Sequence, residues 1–303
     1  MESIIIKEGE YSEWGRVLEL CDGQIEVKVT LDIGPRIIYL APKGGYNIMF
    51  EDSEDKITKG GEYFEDHFED GRIWHIIGGH RLWKAPEELA TYYPDLDKVS
   101  YEINGNSVIF VTEVETTTGI LKTLGITMLG GGRLRVRHEF YNTLNKPINA
   151  ALWGLTVLKA GGTVYFPIND KGEGFLPTRN YVLWPYTDIN DKRFSYDDQY
   201  FSVSQSISEK PFKIGAFLKK GVAGYYNNGV LFIKKFAADD NCVYPDFGCN
   251  FETYTDNSMI ECESLSPMYR IDSDKSEVHY EEWSLSCCNP EDIMETITKH
   301  IDK

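Results

Sequence analysis

Apolar and polar residues alternate strictly over 25–32. Ile25, Val27, Val29 and Leu31 share one face, while Glu26, Lys28, Thr30 and Asp32 share the other. A period of two sustained over that length predicts a half-buried strand. Gly34-Pro35 interrupts it, and Arg36 to Leu40 resumes with strand-like composition. Residues 51–70 are acidic and Gly-rich with neither period, which predicts an exposed loop. Pro86-Glu87-Glu88-Leu89-Ala90 predicts a short helical turn, because Pro suits a first turn and acids suit its positive end.

Residues 99–141 predict an antiparallel meander. Asn104-Gly105 is a hairpin turn signal between 101–103 and 107–112, and Gly130-Gly131-Gly132 separates 120–129 from 133–141. In the last segment Arg133, Arg135, Arg137 and Glu139 face one way. Leu134, Val136, His138 and Phe140 face the other, so His138 is expected in the core as a hydrogen-bonded residue. Strand-sized segments continue to Leu285. The one predicted helix of any length is the last, over about 290–302. Asn289 can cap it, Pro290 fits its first position, and Ile293, Ile297 and Ile301 make its apolar stripe. No βαβ alternation, linker or short repeat appears. The expectation is one all-β domain over 1–303, with antiparallel sheets packed face to face and a short C-terminal helix outside.

Composition narrows the partners. With 303 residues, 42% hydrophobic and 26% charged, the chain can bury a sizeable core. A net charge of −17 repels phosphate backbones and acidic membranes, so neither nucleic acid nor membrane is an expected partner. A small neutral ligand fits better, and 19 Tyr and 6 Trp suit the apolar faces and hydroxyl edges of sugars as well as β-sheet packing. The six cysteines form no CxxC pair. Cys242, Cys249 and Cys262 match no zinc spacing and are expected as buried structural thiols. The N-terminal segment is not a signal peptide, and no apolar run approaches the roughly 20 residues of a membrane span, so a cytoplasmic location is expected. No G-x-S-x-G, P-loop or dinucleotide fingerprint is present.

Three segments carry candidate chemistry. Gly78-Gly79-His80-Arg81-Leu82-Trp83-Lys84 joins close backbone approach, a proton shuttle, a fork of donors and a stacking surface. Its ordinary reading is a core Trp83 with solvated neighbours. His67 and His75 lie upstream, but no metal-binding helical spacing exists and no metal is expected. The second segment, Trp153-Gly154-Leu155-Thr156, is a core strand or the wall of a site. In the third, Met259 to Pro267, alternation points Glu261 and Glu263 to one face and Ile260 and Cys262 to the other. Paired carboxylates repel, which raises the pKa of one and suits acid–base work; a solvent face is the plain alternative.

In order along the chain, these segments resemble the galactose mutarotase-like superfamily, nearer its uncharacterised bacterial branches than the aldose 1-epimerases. The likeness spans roughly 15–285. It rests on Thr30 to Ile38, Gly79-His80-Arg81-Leu82-Trp83 with Ala85-Pro86-Glu87, Tyr92-Tyr93-Pro94-Asp95, Asn142-Thr143, Trp153 to Thr156, Glu261-Cys262-Glu263 and Glu282-Trp283-Ser284-Leu285. The resemblance implies a β-supersandwich of two large antiparallel sheets with a carbohydrate site on a concave face, and no cofactor. It implies a Glu as base, Glu263 before Glu261, with His80 as acid. Arg81, Trp83, Arg36, Trp153 and Lys84 would contact the sugar, the basic ones serving a phosphate if it carries one. The epimerases carry their acid His where this chain has Trp153. Three functions follow: a mutarotase-type isomerase, a non-catalytic carbohydrate-binding protein of the same fold, and an interaction protein whose acidic 51–70 loop meets a basic partner.

Overall fold

The computed structural model describes residues 3–60, 73–168 and 174–301. Alternation is the rule that builds it. Ile25, Val27, Val29 and Leu31 are all buried, and Ile25–Thr30 lies between Arg16–Cys21 and Ile37–Pro42. This run begins an antiparallel sheet that continues through Gly79–Ala85, Ile148–Lys159, Met259–Leu265, Phe251–Thr255, Phe212–Ala216 and Tyr181–Leu183. A second large antiparallel sheet runs from Phe194–Tyr196 through Thr163–Pro167, Val230–Phe236, Ser276–Cys287 and Arg133–Asn142 to Ser100–Asn104. The two bury one shared apolar layer between them, with Leu18, Val27, Ile260 and Cys262 from the first sheet and Val136, Phe232 and Trp283 from the second. The expected two-sheet all-β architecture is thus the observed one.

The helix Ile293–Ile301 follows a single tight turn at Pro290–Asp292. Ile293 and Ile297 pack against Val222, Leu231 and Ile233 on the outside of the second sheet. Asn289 makes no side-chain cap bond, so Pro290 and the two acids supply the start signal. The hairpin register pairs Asn104 with Ser107, so the turn is Gly105-Asn106, one residue later than expected. The turn expected over 86–90 forms at Leu89–Thr91 instead. Of the 51–70 loop, Thr58–Lys59 pairs with Trp74–His75, and 61–72 lie outside the described residues. Cys249 and Cys262 are buried as expected, whereas Cys242 is exposed, and no disulfide forms. Among the described residues no helix is long and apolar enough to cross a membrane.

Candidate functional site

The Gly79–Ala85 strand holds the sequence motif, and the pleat divides it. His80 pairs in register with Thr156, and Arg81 with Leu155. Even-numbered residues of these two strands face the second sheet, where Leu82 and Leu152 pack with Phe140. Odd-numbered residues face outward, where Trp83, Trp153, Leu155 and Val157 join Trp74, Met259 and Leu265. The expected meeting of His80 with Glu263 therefore does not occur: His80 projects between the sheets and Glu263 outward.

His80 belongs to a buried polar layer between the sheets. The partners fix the tautomers in a consistent way. His138 Nδ1 donates to the His279 carbonyl (3.3 Å), His80 Nε2 donates to His138 Nε2 (2.8 Å), and Thr156 Oγ1 donates to His80 Nδ1 (2.8 Å). His279 Nε2 donates to Ser264 Oγ (2.9 Å), which donates to Glu281. Glu281 also accepts from Trp283 Nε1 (2.7 Å) and pairs with Lys234 (3.0 Å). The remaining Lys234 protons go to the carbonyls of Gly154 (2.9 Å) and Cys262 (3.0 Å). Burial holds His138 down to about 4 and His279 down to about 3, and His80 well below its ordinary value. All three are neutral, and His138 is the hydrogen-bonded core residue expected from the alternation. The Lys234 charge holds the Glu281 carboxyl far below the usual carboxylate range despite its burial.

Ligand atoms of His80, His138 and Glu281 lie within 4.8 Å of one another. The set does not fit a cation: the imidazole nitrogens are committed to each other, and Lys234 already neutralises the carboxylate. His75 pairs with Asp55 (2.5 Å), and His67 lies outside the described residues.

The outward face assembles the other predicted residues in register. Glu252 pairs with Glu263, Glu263 with Leu155, and Leu155 with Arg81, so one row crosses four strands. Lys213 stands beside this row. Its ammonium lies 2.7 Å from Glu252 and 3.2 Å from Glu263, and over the rings of Trp153 and Trp184 at 4.8 and 4.7 Å. Trp153 Nε1 donates to the same Glu263 oxygen at 2.8 Å. The other Glu263 oxygen is buried with no hydrogen-bond partner. Glu261 is the least sealed of these carboxyls, at 8% exposure, and its side chain makes no hydrogen bond or ion pair among the described residues. Burial, then the Glu263 charge, pushes its pKa well above the carboxylate range, against Lys213 and Arg81. Glu252 is pushed up to about 8, mainly by burial. Tyr186 is exposed and Trp184 and Tyr254 half-buried, and their phenols or ammonium neighbours couple them electrically to Glu261 and Glu263.

Trp83 cannot serve as a sugar platform in this arrangement. Trp153 stacks on it at 5.3 Å, the Arg81 guanidinium lies 4.1 Å from its ring centroid, and its indole N–H donates to the Thr91 carbonyl. Arg81 is held between Trp83 and Trp74, the latter at 4.9 Å. Arg36 is spent on Asp95 (2.7 Å), and Lys84, with the inward parity of His80, pairs with Glu88. Gly78 and Gly79 are needed for backbone contact: with φ of +103° and +64°, a Cβ would come within 2.2 Å of the Phe50 carbonyl oxygen and 2.4 Å of that of Ile37. Sequence reasoning missed Lys213 and Glu252, which sit in unremarkable strands; only pairing to Glu263 reveals them. A separate open groove of about 900 Å³, bordered by Pro167, Arg179, Tyr200, Lys219 and Ile301, contains none of the predicted residues.

Superposition on solved structures shows that this chain has a galactose mutarotase-like fold. A galactose mutarotase-like protein from Lactobacillus casei superposes with a TM-score of 0.51 at 11% identity, over 93% of this chain and 100% of that one. A galactose mutarotase related enzyme from Lactobacillus acidophilus gives 0.51 at 7% identity, over 90% and 98%. A TPR-domain containing protein from Parabacteroides distasonis gives 0.61 at 15% identity, over 92% of this chain and 48% of that one; the present chain spans about half its length. No protein-family model and no curated protein matches the sequence.

Proposed function

We propose that the outward face of the larger sheet binds a carbohydrate at Glu261. The observation that carries this reading is an unpartnered carboxyl, almost wholly buried, beside the partly exposed rings of Tyr186 and Tyr254. Leaving a buried polar group unpaired costs about 1–3 kcal/mol, which a ligand hydroxyl or amine can recover. Aromatic rings offer the apolar face of a sugar a surface at low entropic cost. The fold likeness adds support at the level of architecture only.

A catalytic reading is favoured by the raised pKa of Glu261. A neutral carboxyl offers one donor and one acceptor oxygen. Its O–H can protonate a sugar ring oxygen while its carbonyl oxygen takes the anomeric hydroxyl proton. The C1–ring oxygen bond then breaks, the aldehyde forms, and the reverse steps close the ring on either face. Such a mutarotase-type isomerase needs no His80, and Glu263 serves as the sealed charge that keeps Glu261 protonated. Saturation-transfer NMR on a panel of aldoses tests catalysis, and calorimetry on the same panel tests binding. Anomer exchange above the buffer rate, abolished in Glu261→Gln, supports the isomerase. Binding without exchange supports a carbohydrate-binding protein, and no binding to any aldose or aldose derivative refutes both.

A further inference from the structure

We propose that the ligand of this face carries an ammonium group, as an amino sugar does, and that Glu261 receives it. The inference rests on the carbohydrate-binding reading above and names the class of sugar. Three carboxyls, Glu252, Glu261 and Glu263, share the face with Lys213 and Arg81. Lys213 divides its single charge between Glu252 and Glu263, and Arg81 is held between two indoles. Glu261 is left with neither hydrogen bond nor ion pair at 8% exposure, while a Glu263 oxygen on the same strand face also lacks a partner. A carboxyl in that position must either hold a proton or gain a counter-charge. An ammonium from the ligand supplies the counter-charge, and the rings of Tyr186, Tyr254 and Trp184 are a favourable lining for a cation. A phosphate or uronate would bring a further negative charge onto an unpaired carboxyl, while the Lys213 ammonium is already shared by Glu252 and Glu263 and the Arg81 guanidinium lies between two indoles with its Nε unpartnered.

The titratable groups facing Glu261 are Glu263 on its own strand, with Lys213, Arg81, Asp256, Tyr92, Tyr186 and Tyr254 from neighbouring elements. An ammonium placed against Glu261 favours its charged form, so binding should be accompanied by proton release.

The test is calorimetry near pH 7 with D-glucosamine and D-galactosamine against glucose, galactose, glucose 6-phosphate and glucuronate, each in two buffers of different ionisation enthalpy. The expected result is at least ten-fold tighter binding of an amino sugar than of its parent, with net proton release on binding. Glu261→Gln should erase the ten-fold preference, and Glu282→Gln, an exposed carboxylate of the second sheet paired with Arg135, should preserve it; circular dichroism checks that both fold. Equal binding of amino and parent sugars, or tighter binding of the phosphate or uronate, overturns the ammonium proposal and leaves carbohydrate binding standing. Failure of every sugar to bind removes the reading on which it rests.

Discussion

Lys234→Met is the most demanding test of how the two sheets are held together. Lys234 and Glu281 are both fully buried, and the ammonium makes all three of its hydrogen bonds, to Glu281, Gly154 and Cys262. Removing it leaves the Glu281 carboxylate with only Ser264 and Trp283 as donors. Breaking a buried pair from one side costs about 3–5 kcal/mol, since the remaining charge is uncompensated. Against a typical total of 5–15 kcal/mol that is a large share. Guanidinium unfolding at pH 7 reads it as a lowered midpoint at unchanged m-value. Glu281→Gln should cost a similar amount, and the double variant less than the sum by at least about 2 kcal/mol, as coupled neighbours do. Glu281 is depressed in the native protein, so its contribution is present above the unfolded carboxyl value and lost as pH falls. Without Lys234 the depression shrinks, so the deficit of the variant should narrow on acidification. A loss below about 1 kcal/mol, or strict additivity, would refute the idea that this pair is a shared element of the core.

Other expectations separate core from site. His138 is held at about 4, against about 6.5 when unfolded, so its stabilising share is present above 6.5 and lost as pH falls below it. His138→Asn should therefore lose roughly 2 kcal/mol less stability than the native chain between pH 6.5 and 4.5, read from urea midpoints across that range. Trp83→Ala should cost about 3–5 kcal/mol in denaturant unfolding, because its faces pack on Trp153, Trp74 and Arg81; a loss under 1 kcal/mol would contradict that packing. Gly79→Ala should lower stability by about 2 kcal/mol or more, given its left-handed φ and the Ile37 carbonyl.

Much of this was legible in the pattern of residues. Period two alone placed Val27 and Val29 in the core, His138 among apolar neighbours, and Glu261 and Glu263 on a common face. The same rule, applied to His80 and Arg81, already separates them, since adjacent strand residues point to opposite sides. Reading that segment as one constellation ignored the pleat. The remaining errors have a common cause: pairing across strands is not local. Glu252 gains meaning only from its register with Glu263 and Lys213 from its ion pairs to both, and Arg36, Lys84 and Trp83 were spent on Asp95, Glu88 and Thr91, partners that no short motif contains.

The polar layer around His80 also constrains how the chain can be assembled. If Gly79–Ala85 slid by one residue against Ile148–Lys159, Arg81 would take the place of His80, and a guanidinium would enter a space already filled by Lys234. An apolar inner face would tolerate that slip far better, because one aliphatic residue replaces another at modest cost. The buried Lys234 charge thus disfavours that alignment, since a second buried cation beside it would have no carboxylate of its own, and the observed register keeps Arg81 and the tryptophans on the side of Glu261.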